Sequence, residues 1–74
     1  MKENPIREAR RAKLMSQREL AHLVGVTHSQ ISAYESGRYS ARLRFDKIAD
    51  ALRIDFELFW ARYLAWWNDF KRGE

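Results

Sequence analysis

Two copies of one short pattern constrain this chain more than anything else in it. "SQRE", Ser16 to Glu19, and "THSQ", Thr27 to Gln30, start eleven residues apart with Gly25 between them. In each, a hydroxyl residue is followed three positions later by Glu or Gln. The hydroxyl accepts a backbone N–H at the start of a helix, and the longer side chain reaches back to the N–H of the hydroxyl residue, so two unpaired donors are satisfied together. Gly25 tolerates the left-handed backbone that ends a helix. One helix therefore runs to Val24 and stops, and a second starts at once and continues to about Ser36, where Gly37 ends it. Two helices joined by so short and sharp a turn form a helix-turn-helix.

Similar punctuation marks the rest of the chain. "NPIRE" puts Asn4 at an N-cap and Pro5 at the first helical position, where a missing N–H costs nothing. That helix runs to about Lys13. In the next, Leu20, Ala21, Leu23 and Val24 are expected to face inward. A fourth helix spans about Arg44 to Leu52, with Phe45, Ile48, Ala49 and Leu52 at core spacing. Asp55 caps a long fifth helix, Phe56 to about Lys71. No strand alternation, repeat or low-complexity stretch interrupts this pattern. The expected fold is all-α, with five helices in a single domain over residues 1–74.

Size then limits how such a domain is stabilised. A chain of 74 residues buries only about 60% of its unfolded surface. With no cysteine, disulfides are excluded and nothing argues for an oxidising compartment. His22 and His28 are the only histidines, and no carboxylates cluster with them, so neither a metal nor another cofactor is expected. Oligomerisation remains. No apolar run reaches the ~18 to 20 residues that span a bilayer, and the charged N-terminus does not read as a signal peptide. The chain is expected to be cytoplasmic. No Ser-His-Asp or paired-carboxylate arrangement argues for an enzyme.

The third helix is unusual. Thr27, Ile31 and Tyr34 share one side of it, and His28, Ser29, Ser32 and Ala33 share the other. That second face is uncharged, short and mostly hydrogen-bonding. Ser29 and Ser32 on a protein surface are often only solvated, as is a lone histidine, and Ala33 also favours helix for its own sake. A DNA major groove gives the row a use. It is about 12 Å wide and admits one helix, whose His and Ser side chains can bond base edges while an Ala methyl meets a thymine methyl. Phosphates are better held from the flanks. The charges follow this division. No Lys or Arg occurs from Glu19 to Ser36, while Lys2, Arg7, Arg10, Arg11, Lys13 and Arg18 precede it and Arg38, Arg42, Arg44 and Lys47 follow. The net charge of +4 agrees with an anionic partner.

"LMSQRELAHLVGVTHSQISAYESGR" resembles the helix-turn-helix of the Cro and phage-repressor family, the lambda-repressor-like domains. The matching residues are Ser16-Gln17, Leu20-Ala21, Gly25-Val26-Thr27, Ile31-Ser32, Tyr34-Glu35 and Gly37, and the likeness continues through "FDKIADALRIDFELF". It implies a sequence-specific transcriptional regulator, typically a repressor. It implies base contacts at His28, Ser29, Ser32 and Ala33, and phosphate contacts at Gln17, Arg38, Tyr39, Ser40 and Arg42. It also implies that Gln17 braces the reading helix and that Arg10 pairs with Glu35. Three positions depart from the family. Leu14 stands where Gly is frequent, which predicts a differently built turn. Ala41 replaces a frequent Pro, and Arg42 stands where Ser or Thr usually caps helix 4, with Ser40 as a substitute.

The last helix, "FELFWARYLAWWNDFKR", puts its large apolar residues, Leu58 excepted, on an arc of about 160°, wider than the ~100° of an ordinary core-facing stripe. Phe56, Phe59 and Tyr63 are expected to face the core. Trp60, Leu64, Trp66, Trp67 and Phe70 are then expected to lack cover and to form a homodimer interface within residues 55–72. Two alternatives stand beside this: the helix folds back and buries everything in one chain, or, as in an antitoxin, it captures a partner protein. Its polar arc is too acidic and mixed for a membrane surface.

Overall fold

The structure, a computed structural model, describes residues 3–38 and 45–72. Among them are five helices and no strand: α1 (Pro5–Ala12), α2 (Gln17–Val24), α3 (His28–Ser36), α4 (Phe45–Ala51) and α5 (Phe56–Arg72). Both capping boxes form as expected. Ser16 Oγ accepts from Glu19 N while Glu19 returns to Ser16 N, and Thr27 and Gln30 do the same for α3. The Ser16 N–H, and after it the Ser16 hydroxyl, favour the ionised Glu19 carboxyl and hold it below its ordinary value of 4.5. Gly25 and Gly37 end α2 and α3 at φ 82 and 81, the left-handed region.

Asn4 caps α1 by accepting from Ile6 N and Arg7 N. Its amide also donates to the carbonyl of Tyr34, 3.0 Å away, so one buried side chain ties the start of α1 to the end of α3. The Tyr63 hydroxyl donates to the same carbonyl at 3.0 Å, and burial pushes that phenol well above its usual pKa, which keeps it a neutral donor. A last-turn carbonyl of α3, which helix geometry leaves without a backbone donor, thus receives two side-chain donors.

The core is one cluster. Ile6, Leu20, Ile31, Phe45, Ile48, Leu52, Phe59 and Tyr63 are fully buried. Phe45 lies at its aromatic centre, with ring centroids of Trp60, Tyr63 and Phe59 at 4.9, 5.0 and 5.2 Å. α2 packs on α3 and α4, and α5 packs on α1 and α4.

Three expectations are corrected. Leu23 is 60% exposed rather than inward-facing. It lies roughly 60° past Leu20 around the helix at ~100° per residue, beyond the face that Leu20, Ala21 and Val24 present to α3 and α4. The turn after α1 is not built differently: Leu14 itself adopts the left-handed conformation, φ 55, and is 92% exposed. That conformation costs roughly 1 kcal/mol for a residue with a side chain. The Arg10 guanidinium secures the turn by donating to the Met15 carbonyl at 2.7 Å.

The largest correction concerns α5. Trp66 is buried, 9% exposed, and Trp60, Leu64, Trp67 and Phe70 are half-buried rather than uncovered. α5 folds back over the end of α3 as well as over α4. Gly37 makes this possible, because a β-carbon there would lie 2.7 Å from the Phe70 ring and 3.2 Å from that of Trp66. Trp66 and Phe70 stack at 5.2 Å over that gap. Among the described residues, the large hydrophobic ones still exposed are Leu14, Leu23 and Leu58.

Candidate nucleic-acid interface

α3 presents its uncharged face outward. Ile31 and Tyr34 are buried on its inner side. His28 and Ser29 are exposed, and Ser32 and Ala33 are half-buried. Ser36, exposed one turn beyond Ser32, completes this face and is not among the residues expected from the sequence. Its i+4 spacing from Ser32 and i+7 spacing from Ser29 are the signal for it. Ser36 Oγ donates to the Ala33 carbonyl at 3.1 Å and accepts from Arg38 Nε at 3.1 Å. Gln30 lies outside the row because its carbonyl oxygen is used in the capping box.

A continuous chain of polar bonds fixes α3 to the two helices before it. Arg10 Nε donates to Glu35 Oε2 at 2.8 Å and Nη2 to Oε1 at 3.1 Å. Gln17 Nε2 donates to the same Oε1 at 3.1 Å. Gln17 Oε1 lies 2.9 Å from His28 Nε2. The chemistry settles each hydrogen. A carboxylate only accepts, so the Gln17 amide nitrogen faces Glu35 and its oxygen faces His28. An amide oxygen also only accepts, so His28 Nε2 carries a proton. One N–H of the Gln17 amide is used on Glu35, and the second leaves it capacity for one more acceptor.

The expected phosphate set is divided. Gln17 is half-buried in this relay and Arg38 is exposed at the end of α3. Tyr39, Ser40 and Arg42 lie outside the described residues, as do Ala41, Arg44 and Lys2. Of the other cations, Arg11 lies 3.2 Å and Arg7 3.9 Å from Glu3. Arg10 is turned inward, its side chain 11% exposed, and is no longer part of the basic flank. Lys13, Arg18 and Lys47 are exposed.

Taken together, a neutral helix face lies at the surface, its first residue is oriented by a relay from α1, and its last is joined to an exposed arginine. Such a surface fits a groove lined with hydrogen-bonding edges and bordered by negative charge. No described helix is long and apolar enough to cross a membrane. A family model described as helix-turn-helix matches residues 6–59. No curated protein and no solved structure matches the chain.

Proposed function

This chain belongs to the Cro/C1-type helix-turn-helix family of DNA-binding regulatory domains, and from that premise we propose that it binds duplex DNA sequence-specifically, as a homodimer on a pseudo-palindromic operator, to regulate transcription. The observation that carries this is the outward row of His28, Ser29, Ser32, Ala33 and Ser36 on a helix anchored by the Arg10–Glu35–Gln17–His28 relay. α3 enters the major groove, where this row meets base edges. Gln17, Arg38, Tyr39, Ser40 and Arg42 hold phosphates on either side and set the register.

One such helix covers only a few base pairs, and a two-fold pair reads half-sites about one turn, ~34 Å, apart. The surface we assign to the dimer is the flank of α5 on which Phe56, Trp60 and Leu64 remain half-exposed. Trp66, Trp67 and Phe70, expected there from the sequence, are withdrawn from it because all three rings are used on the chain's own α3 cap at Gly37.

The test is selection of bound sites from random duplex DNA by the purified protein. The expected product is a short inverted repeat whose half-sites are centred about one helical turn apart. An enriched single half-site removes the dimer. No enrichment removes sequence-specific readout.

A further inference from the structure

We propose that Trp67 is a positioning residue for DNA backbone contact: its indole locks the peptide unit from which the Arg38 side chain projects. The inference rests on the assignment of Arg38 to a phosphate and extends it to a residue far away in sequence.

The peptide between Gly37 and Arg38 is held at both of its polar ends. Its carbonyl oxygen accepts from Trp67 Nε1 at 3.1 Å. Its N–H, that of Arg38, donates to the Ala33 carbonyl at 3.1 Å. Gly37 is buried, although it is the left-handed cap of α3. Phe70 and Trp66 fill the space where a side chain would be, so the cap cannot shift toward α5. The cap of α2 shows the contrast. Gly25 has the same left-handed backbone, yet it is exposed, and a β-carbon built there meets nothing within 4 Å. Of two caps with one geometry, only the one that leads to an expected phosphate contact is clamped by aromatic rings.

The clamp has a physical purpose. A phosphate contact adds affinity in proportion to how little order it must create on binding, because immobilising a long side chain and its backbone consumes much of the interaction. Fixing the 37–38 peptide orders the base of Arg38 in advance, and the Ser36 hydroxyl at 3.1 Å from Nε orders part of its side chain. The Trp67 ring is itself restrained by Lys71, whose ammonium lies 5.5 Å from the ring centroid. The last turns of α5 therefore act on the DNA-facing end of α3 directly, in the same protomer.

Trp67→Phe keeps a ring and removes the N–H donor. The first readout needs no DNA. Amide hydrogen exchange at Arg38 should accelerate in this variant, while exchange at Gly25, the unclamped cap, stays as in the wild type. The second uses a pool of random-sequence duplexes, since phosphate contact is independent of sequence. Arg38→Ala should make the log–log salt slope shallower by about 0.9. Trp67→Phe should lose part of the same affinity, and the double variant should bind no more weakly than Arg38→Ala alone. If Trp67→Phe does not fold, as judged by circular dichroism, the benzothiophene isostere of that tryptophan removes the N–H and keeps the bicyclic ring. Unchanged exchange at Arg38, or a Trp67→Phe loss that persists in full in the Arg38→Ala background, overturns the positioning role and leaves DNA binding standing. A wild type that binds no duplex overturns both.

Discussion

Arg10 and Glu35 meet as a fork, with Nε 2.8 Å from Oε2 and Nη2 3.1 Å from Oε1, and their side chains are only 11% and 4% exposed. The pair spans α1 and α3, and a third donor, Gln17, shares its carboxylate. Arg10→Met should be severely destabilising, by about 3–5 kcal/mol, because it strands a desolvated carboxylate. Replacing both partners, Arg10→Met with Glu35→Leu, should recover most of that loss. Urea unfolding of the two single variants and the double variant provides the comparison. Additive losses would mean that the two residues do not act as a pair.

Base reading and phosphate holding separate by what each variant does to preference. Ser29→Ala and His28→Ala should change which operator variants are bound, since each removes a group that faces base edges. Arg38→Ala should weaken all operators about equally. Profiling the three variants against an operator library decides the assignment. A shifted preference for Arg38→Ala alone would place the reading surface elsewhere.

Leu64 sits on the half-exposed flank of α5, away from the rings over Gly37. Leu64→Glu should therefore dissociate the dimer while helicity and cooperative unfolding are kept, because a charge on that flank repels its two-fold mate and loses an apolar contact. Sedimentation with circular dichroism on the same sample shows whether it does. Trp66→Ala should instead cost about 3–5 kcal/mol of stability, as expected for removing a core indole. A wild type that sediments as a monomer removes the interface from α5.

The α2 capping box should carry a pH signature. The folded-state pKa of Glu19 is depressed by its bonds to Ser16. Its contribution is thus complete above the ordinary value of 4.5 and is lost as pH falls through the depressed folded value. Glu19→Gln keeps a box-forming side chain that does not titrate. Melting both proteins across the acid range should show wild type favoured above that value and the difference shrinking below it. A constant difference at every pH would remove the ionised box from the account.

Leu14 offers a stabilising change. It holds φ 55 with 92% of its surface exposed, so it has left-handed strain and little packing to lose. Leu14→Gly should raise stability by a few tenths to about 1 kcal/mol, the relief of strain exceeding the greater freedom of glycine in the unfolded chain. A lower melting temperature would show that the Leu14 side chain supports the turn.

What the sequence determined by itself is what a few neighbouring residues decide. Both capping boxes, the Asn4 and Asp55 caps and the glycine stops are local competitions for backbone hydrogen bonds, so the five helices and the turn between α2 and α3 were legible, and with them the uncharged row on α3. Proximity in the fold decided the rest. A helical wheel shows which side of α5 is apolar, but not that Gly37, some thirty residues away, leaves the space in which Trp66 and Phe70 come to rest. Nor does it show that Leu23 points past the edge of its neighbours. The family resemblance implied that Arg10 pairs with Glu35 and that Gln17 braces α3, as the structure has them, but no spacing showed that the Glu35 carboxylate takes both donors or that Gln17 carries the line on to His28. Such facts depend on which surfaces meet, and a surface is covered or bare only once the whole chain has been placed.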